Sequence, residues 1–270
     1  MQAVLDDVVD VSYGGLGPVL RFRSEGKPVR IIVSMARGLA QNLVTQGRIT
    51  SVDQLKGVSW ALDGFGALSH HMARLLVRAL DIQEADIDWQ AVGPPPERID
   101  RLLADTIDVS LIRVEEAIAL TADDSNSLHT LLGFADLKEL VPLQPHGVLA
   151  TTEAYEQSHA EELSRLARGM IRASRALHDD YEIFRKVYDH HVTISAPDAA
   201  VKTIWQQERD THGFAVNGEL TQGHWKNQMA LFYELNPELP RIVRADVIAE
   251  PFVAQALENL GLHDGADKPD

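Results

Sequence analysis

Val58-Ser59-Trp60-Ala61-Leu62-Asp63-Gly64-Phe65-Gly66-Ala67-Leu68-Ser69-His70-His71-Met72 decides how the rest of the chain is read. An apolar run enters a turn containing two glycines, and an amphipathic spacing leaves it. Met72, Leu75, Leu76, Ala79 and Leu80 recur at helical intervals, which predicts a helix over about 68–80. Strand, glycine turn and helix make one βα unit. The same pattern recurs outward from it. Short apolar or β-branched runs predict strands at Val8–Tyr13, Val29–Ser34, Ile87–Val92 and Ile107–Ile112, and His146–Thr151 is also extended. Ile99, Leu102 and Leu103 mark a shorter helix between two of them. Alternating strands and helices imply βαβ units and a mostly parallel sheet.

After about residue 152 the pattern becomes wholly helical. Leu163, Leu166, Ala167, Met170, Ile171 and Leu177 form one apolar stripe. Tyr181, Phe184 and Tyr188 suggest a second helix, and Ala196-Pro197-Asp198 opens a third with Val201, Ile204 and Trp205 inward. Trp225, Met229, Phe232 and Tyr233 mark a fourth. Pro251 suits a first helical turn and Gly261 its end. The tail from His263 to Asp270 is polar. Ala3, Val4 and Leu5 read as the last turn of a helix entering the first strand.

Composition narrows the function classes. The 270 residues carry 25 basic and 40 acidic side chains, a net charge of −15. That disfavours a nucleic-acid binder and docking on an anionic membrane. No run approaches the ~18 apolar residues of a membrane span, so direct membrane insertion is not expected. Cysteine is absent, which removes disulfides, thiolate nucleophiles and Cys-ligated metals.

Five loops follow predicted strands, where ligands sit in open α/β sheets. Gly64–Ser69 is the sharpest. Its glycines let a ligand approach the backbone, and the helix start offers unpaired N–H groups with a positive dipole. The spacing imitates a dinucleotide fingerprint, but Ser69 replaces the last Gly. Asp86 and Asp88 also fall at the start of the next strand instead of its end. A structural turn and a site for an oxygen-rich small ligand are the other readings. Tyr13-Gly14-Gly15-Leu16-Gly17-Pro18, Met35–Gly38, Gly93–Pro96 and Arg113–Glu116 are the remaining loops. Arg37 and Arg113 are their cations, each open to use as a surface ion-pair partner instead. Adjacent His70 and His71 cannot share one metal on a helix: either one faces a ligand or both face solvent. His190-His191 ends a helix, where the dipole favours a cation. His159 and Glu162 lack a recognisable third ligand. His-Glu-x-x-His, calcium-loop, Walker-lysine and Gly-x-Ser-x-Gly motifs are absent from the sequence. Trp60, Trp89, Trp205, Trp225, Tyr188 and Tyr233 read as core.

Four segments together resemble one family. Val9–Pro18, Thr50–Gly57, Gly147–Tyr155 and Phe252–Gly261 are similar, in that order, to recurring segments of ABC-transporter substrate-binding proteins of the sulfonate, taurine, nitrate and thiamine-pyrimidine type. The resemblance implies an α/β, two-lobed, type II periplasmic-binding-protein fold, with parallel or mixed sheets flanked by helices and a helical C-terminal part. It implies a first part of lobe I at 1–56, lobe II at 57–144, a return to lobe I at 145–262 and a polar tail at 263–270. A small solute would bind between lobes that close on it. The partners would be an ABC permease and its ATPase, the location periplasmic, the state monomeric, with no cofactor, metal or catalytic residue. Tyr13, Gly14, Gly15 and Arg37 would be offered by lobe I, and Gly64, Phe65, Ala67, Ser69 and Arg113 by lobe II. Tyr13 and Phe65 would stack on a planar ligand. Arg113 favours an anionic ligand, sulfonate- or carboxylate-like.

The same scaffold also hosts a pyrimidine synthase using a histidine and pyridoxal phosphate, and a desulfinase using cysteine. The absence of Cys excludes the second and removes the first's cysteine-rich signature, and the candidate loops hold no Schiff-base lysine. Family members begin with a signal peptide, a first strand and a first helix, and this sequence opens after the counterparts of all three. The first strand is expected between the strands at 8–13 and 29–34. Without it their edges would be unpaired, and residues 1–270 would be marginally stable or a non-functional relic.

Overall fold

The computed structural model describes residues 1–37, 40–121, 125–141, 145–192, 196–218 and 220–265, with the side chains at 36–37, 68, 145–146 and 235 outside that description. Its strands are β1 (Ser12–Gly14), β2 (Val29–Arg37), β3 (Gln41–Gln46), β4 (Ser59–Leu62), β5 (Asp88–Ala91), β6 (Val109–Arg113), β7 (Leu128–Leu132) and β8 (Pro145–Thr152). The chain divides into two compact units. The first holds Met1–Leu39, Leu143–Phe184 and Glu208–Asp270, and the second holds Ala40–Pro142 and Arg185–Gln207.

The first unit is built on a three-stranded sheet in the order β1-β8-β2, with β8 antiparallel to both neighbours. Successive residues point to opposite faces, and helices cover both. Ile31, Val148 and Ala150 pack with Leu16, Leu20, Phe232 and Tyr233 on one side. Ile32, Val33 and Leu149 pack with Leu163, Ala167, Ile171, Phe252 and Ala256 on the other. Burial on both faces explains why Val29–Val33 is a run of apolar residues broken only by Arg30. The outer edge of β2 is engaged by loop backbone: Ala249 N–H donates to Ile31 O at 2.9 Å and Ser34 N–H to Gly218 O at 3.0 Å.

The second unit carries a five-stranded mixed sheet, β5-β4-β6-β3-β7. β4 runs parallel to β5 and β6, whereas β3 is antiparallel to β6 and β7. Trp60, Leu62, Leu43 and Leu111 face helix Leu68–Ala79 through Leu76 and Val77. Ala61, Val44 and Ile112 face the other way, onto Leu102 of helix Pro95–Leu103 and Ala117 of helix Val114–Thr121. Trp60 is fully buried, with its ring 5.6 Å from that of Trp89.

Three differences from the sequence reading have physical causes. β3 and β7 are strands that periodicity did not indicate. β3 reads Gln-Asn-Leu-Val-Thr-Gln, and its buried polar residues Asn42, Thr45 and Gln46 hide the strand signal. Because β3 pairs with β6 and β7, the first boundary falls at 39/40 and not at 56/57, and residues 185–207 also join the second unit. Finally, the position between β1 and β2, expected to be that of an earlier strand, is filled by β8, whose Ala150 pairs with both Ser12 and Ile31.

Candidate functional site

The carboxyl ends of β4, β5, β6 and β7 and the start of β3 share one edge of the second unit's sheet. The turn after β4 is the most elaborately held feature there. Gly66 adopts φ +80°, a left-handed conformation that favours glycine. The adjacent histidines grip both of its backbone groups. Gly66 N–H donates to His70 Nδ1 at 3.1 Å, and His71 Nε2 lies 2.9 Å from Gly66 O. A carbonyl only accepts, so the proton of that second bond sits on His71 Nε2. His70 Nδ1 is correspondingly unprotonated, and burial first, then Arg74, holds its pKa below the usual histidine value. Ser69 is buried and accepts Asp63 N–H on its Oγ at 2.9 Å, closing the turn from the other side.

Helix Leu68–Ala79 starts from this turn with Ala67 as its N-cap, no side-chain cap and no acidic residue in its first turn. Its opening N–H groups have no acceptor within the helix. The helices that follow β5, β6 and β7 all carry acids there: Glu97, Glu115 with Glu116, and Asp136. Phe65 stands 66% exposed beside the turn, edge-on to His70 at 5.5 Å, and His70 is in turn edge-on to Trp89.

Arg98 underlies the same edge and was missed by sequence reasoning. It is 2% exposed, donates to Ser110 Oγ at 3.0 Å and Leu111 O at 2.7 Å, and pairs with Asp63 Oδ1 at 3.0 Å. Burial pulls its pKa down, against Asp63 and Glu116. The available signal was its spacing: Arg98 lies one helical turn before the buried Leu102, on the apolar face of its helix.

Arg113 ends β6 and remains half exposed. Its guanidinium is 2.5 Å from Glu116 and 3.9 Å from Glu115. Glu116 raises the Arg113 pKa by accepting its hydrogen bond, and burial pushes the Glu115 carboxyl up. The charge that favoured an anionic ligand is therefore locally countered. Gly64, Phe65, Ala67, Ser69 and Arg113 thus share the second unit's strand-end edge.

Tyr13, Gly14, Gly15 and Arg37 belong to the first unit. Tyr13 lies on β1, 61% exposed, with its ring laid over Gly147 of β8: a Cβ there would come within 2.5 Å of its hydroxyl. Gly14 closes β1, and Gly15 is the N-cap of helix Leu16–Ser24, whose first turn is also free of acids. Arg37 ends β2 opposite Pro145, and its side chain and the neighbouring Gly38 lie outside the described residues. No helix among the described residues is long and apolar enough to cross a membrane.

No family model and no curated protein matches the sequence. Solved structures do match in fold. A putative periplasmic sulfonate-binding protein SsuA of a sulfonate ABC transporter from Methylobacillus flagellatus KT superposes with a TM-score of 0.74 at 14% identity, over 100% of this chain and 80% of that one. The alkanesulfonate-binding protein SsuA from Xanthomonas axonopodis pv. citri, bound to MOPS, gives 0.63 at 20% identity, over 93% and 82%. The desulfurization enzyme DSZB gives 0.66 at 13% identity, over 93% and 85%. The fold is that of the periplasmic binding proteins, an α/β architecture of helix-flanked sheets, as the four-segment resemblance implied. Binding proteins and an enzyme both use it, so the fold by itself does not choose between them.

Proposed function

We propose that this chain is the solute-binding component of an ABC importer, taking a small organic anion and performing no chemistry on it. The observation that carries the reading is the uncapped, acid-free start of helix Leu68–Ala79, presented by a turn that His70, His71 and Ser69 hold rigid. Such a start stabilises a sulfonate or carboxylate through N–H groups and dipole. Phe65 supplies an apolar face beside it, and Tyr13, Gly14, Gly15, Arg37 and Arg113 are the further contacts assigned to the solute. The permease, its ATPase, a periplasmic location and a monomeric state follow from the same reading. A non-catalytic role is favoured because the strand-end turns contain neither cysteine nor lysine.

The test is a thermal melt against alkyl and aryl sulfonates, taurine, nitrate, aromatic carboxylates and pyrimidines. A ligand at ~100 times its dissociation constant adds about 2.7 kcal/mol, several degrees of midpoint. A shift with one anionic class, lost in Leu68→Pro, supports the reading: proline is tolerated in a first helical turn and there removes one of the N–H groups that have no acceptor within the helix. A panel that moves nothing, or an absorbance change with pyridoxal phosphate, overturns it.

A further inference from the structure

Away from that edge, in the first unit, the carboxyl end of helix Ala160–Asp179 meets the segment that follows helix Glu250–Leu260. Two imidazoles converge there on one carboxylate. His178 Nδ1 lies 2.8 Å from Asp179 Oδ1, and His263 Nε2 lies 3.0 and 3.1 Å from Asp179 Oδ1 and Oδ2. The donor atoms of all three side chains fall within 4.8 Å of one another. His178 is buried and its ring meets that of His263 edge-on at 5.0 Å.

The surroundings hold this arrangement in place. Arg175 donates to Leu260 O at 3.1 Å and Gly261 O at 2.7 Å, and also to Asn217 Oδ1 at 3.0 Å. Asn217 brackets His263, accepting its N–H at 3.0 Å and donating to its carbonyl at 3.2 Å. His212 Nδ1 lies 3.0 Å from Gly265 O. The backbone of His263 is thus fixed by groups that are not themselves the donors.

We propose that His178, Asp179 and His263 form a binding site for a first-row divalent cation of the zinc type, which staples the segment 261–265 to the end of helix Ala160–Asp179. Two imidazole nitrogens and one carboxylate suit zinc or cobalt, with a fourth position left for water. Tetrahedral bonds of about 2.0–2.1 Å set donors roughly 3.3 Å apart, so each nitrogen draws back from the Asp179 oxygen it now faces by a few tenths of an ångström. Metal and protons compete for these nitrogens. In the present arrangement Gly265 N–H donates to His263 Nδ1 at 3.0 Å, so the ring proton is on Nε2, facing Asp179. Loading moves that proton to Nδ1 and breaks the Gly265 bond, while the His178 proton moves from Nδ1 to Nε2. Both rings bind the cation as neutral imidazoles.

The experiment is a titration of the full chain with cobalt(II) at neutral pH, read by its visible d–d absorption and by calorimetry. One cobalt per chain with the intense bands of a four-coordinate site is expected, together with a higher melting midpoint in zinc. His263→Gln, checked for folding by circular dichroism, is expected to lower affinity at least ~10-fold. A double variant, His190→Gln with His191→Gln, is expected to leave it unchanged. Should His263→Gln fail to fold, Asp179→Asn replaces it with the same expected loss. The proposal is overturned by wild-type protein that binds no stoichiometric cobalt, by affinity unchanged in the ligand variant, or by loss in the His190/His191 variant. None of these outcomes bears on solute binding.

Discussion

The two units reach the same kind of sheet-and-helix packing by different routes. Five strands of the second come from the single stretch 40–142, although β3 at its start pairs with β6 and β7 near its end. The first pairs β1 and β2 with β8, more than a hundred residues further on, and covers them with helix Leu16–Ser24 and with helices that follow β8. Closing such long loops costs conformational entropy before any contact forms. The first unit compensates with arginines that tie distant backbone together. Arg30 reaches Glu156 at 2.8 Å and Ala245 O at 2.7 Å, and Arg175 reaches Val216 O at 2.8 Å as well as residues 260 and 261. A contiguous unit is specified mainly by strand pairing and its core, and a dispersed one depends more on long-range polar ties and close packing.

Removing the central core residue of the contiguous unit is the harshest way to break this comparison. Trp60→Ala is expected to cost about 3–5 kcal/mol, because a fully buried indole leaves a cavity against Trp89, Leu76 and Leu111. Calorimetry checks whether that loss moves a transition of the second unit alone or the whole melt. A single shifted transition would show that the two units unfold together.

In the dispersed unit the corresponding pressure point is a glycine. Gly218 has φ +66°, and a Cβ there would lie 2.6 Å from Ile171 and 2.8 Å from Val33, both buried. Gly218→Ala is expected to destabilise by about 1–3 kcal/mol in a denaturant titration. Gly147→Ala is the control. The atoms nearest its Cβ would be those of the Tyr13 ring, the end of a largely exposed side chain, so less than ~1 kcal/mol is expected. Equal costs at the two glycines would mean that close packing is not what holds the first unit.

The smallest effect is a pH dependence in the second unit. Burial alone would push the Asp108 carboxyl up, but Ser59 N–H at 2.8 Å, Ser59 Oγ at 2.7 Å and Arg48 outweigh it and hold its pKa below the ordinary value. A depressed folded pKa contributes stability that is complete above the unfolded value of about 3.9 and is lost as pH falls through the folded one. Asp108→Asn is expected to cost about 1 kcal/mol at neutral pH and to flatten the acid limb of stability against pH. An unchanged acid limb would locate the acid sensitivity elsewhere.

Local pattern made several elements legible. Helix Leu68–Ala79 announces itself through the spacing of Met72, Leu75 and Leu76, and Pro251 and Gly261 bracket helix Glu250–Leu260 closely. Strands buried on both faces, such as β2, β4 and β6, are readable as apolar runs because burial there tolerates few polar residues. The glycine turn at 64–66 and the α/β class follow from the same local chemistry.

Other features depended on partners that are remote in sequence. The polar side chains of β3 are buried because β6 and β7 flank it, and Gln46 finds the carbonyls of Leu102 and Ile107 at 2.6 and 3.1 Å. Nothing in the residues 41–46 by themselves announces those acceptors. The burial of Arg98 was likewise decided by Asp63, Ser110 and Leu111, and the grip of two adjacent histidines on Gly66 by the bend of the chain back over the helix start. The insertion of β8 between β1 and β2, and the meeting of His178 with His263, join residues 85 or more positions apart. Hydrophobic periodicity and turn chemistry act over a few residues and are therefore written in the sequence. Satisfaction of buried polar groups is a property of the assembled neighbourhood, and only the tertiary structure supplies it.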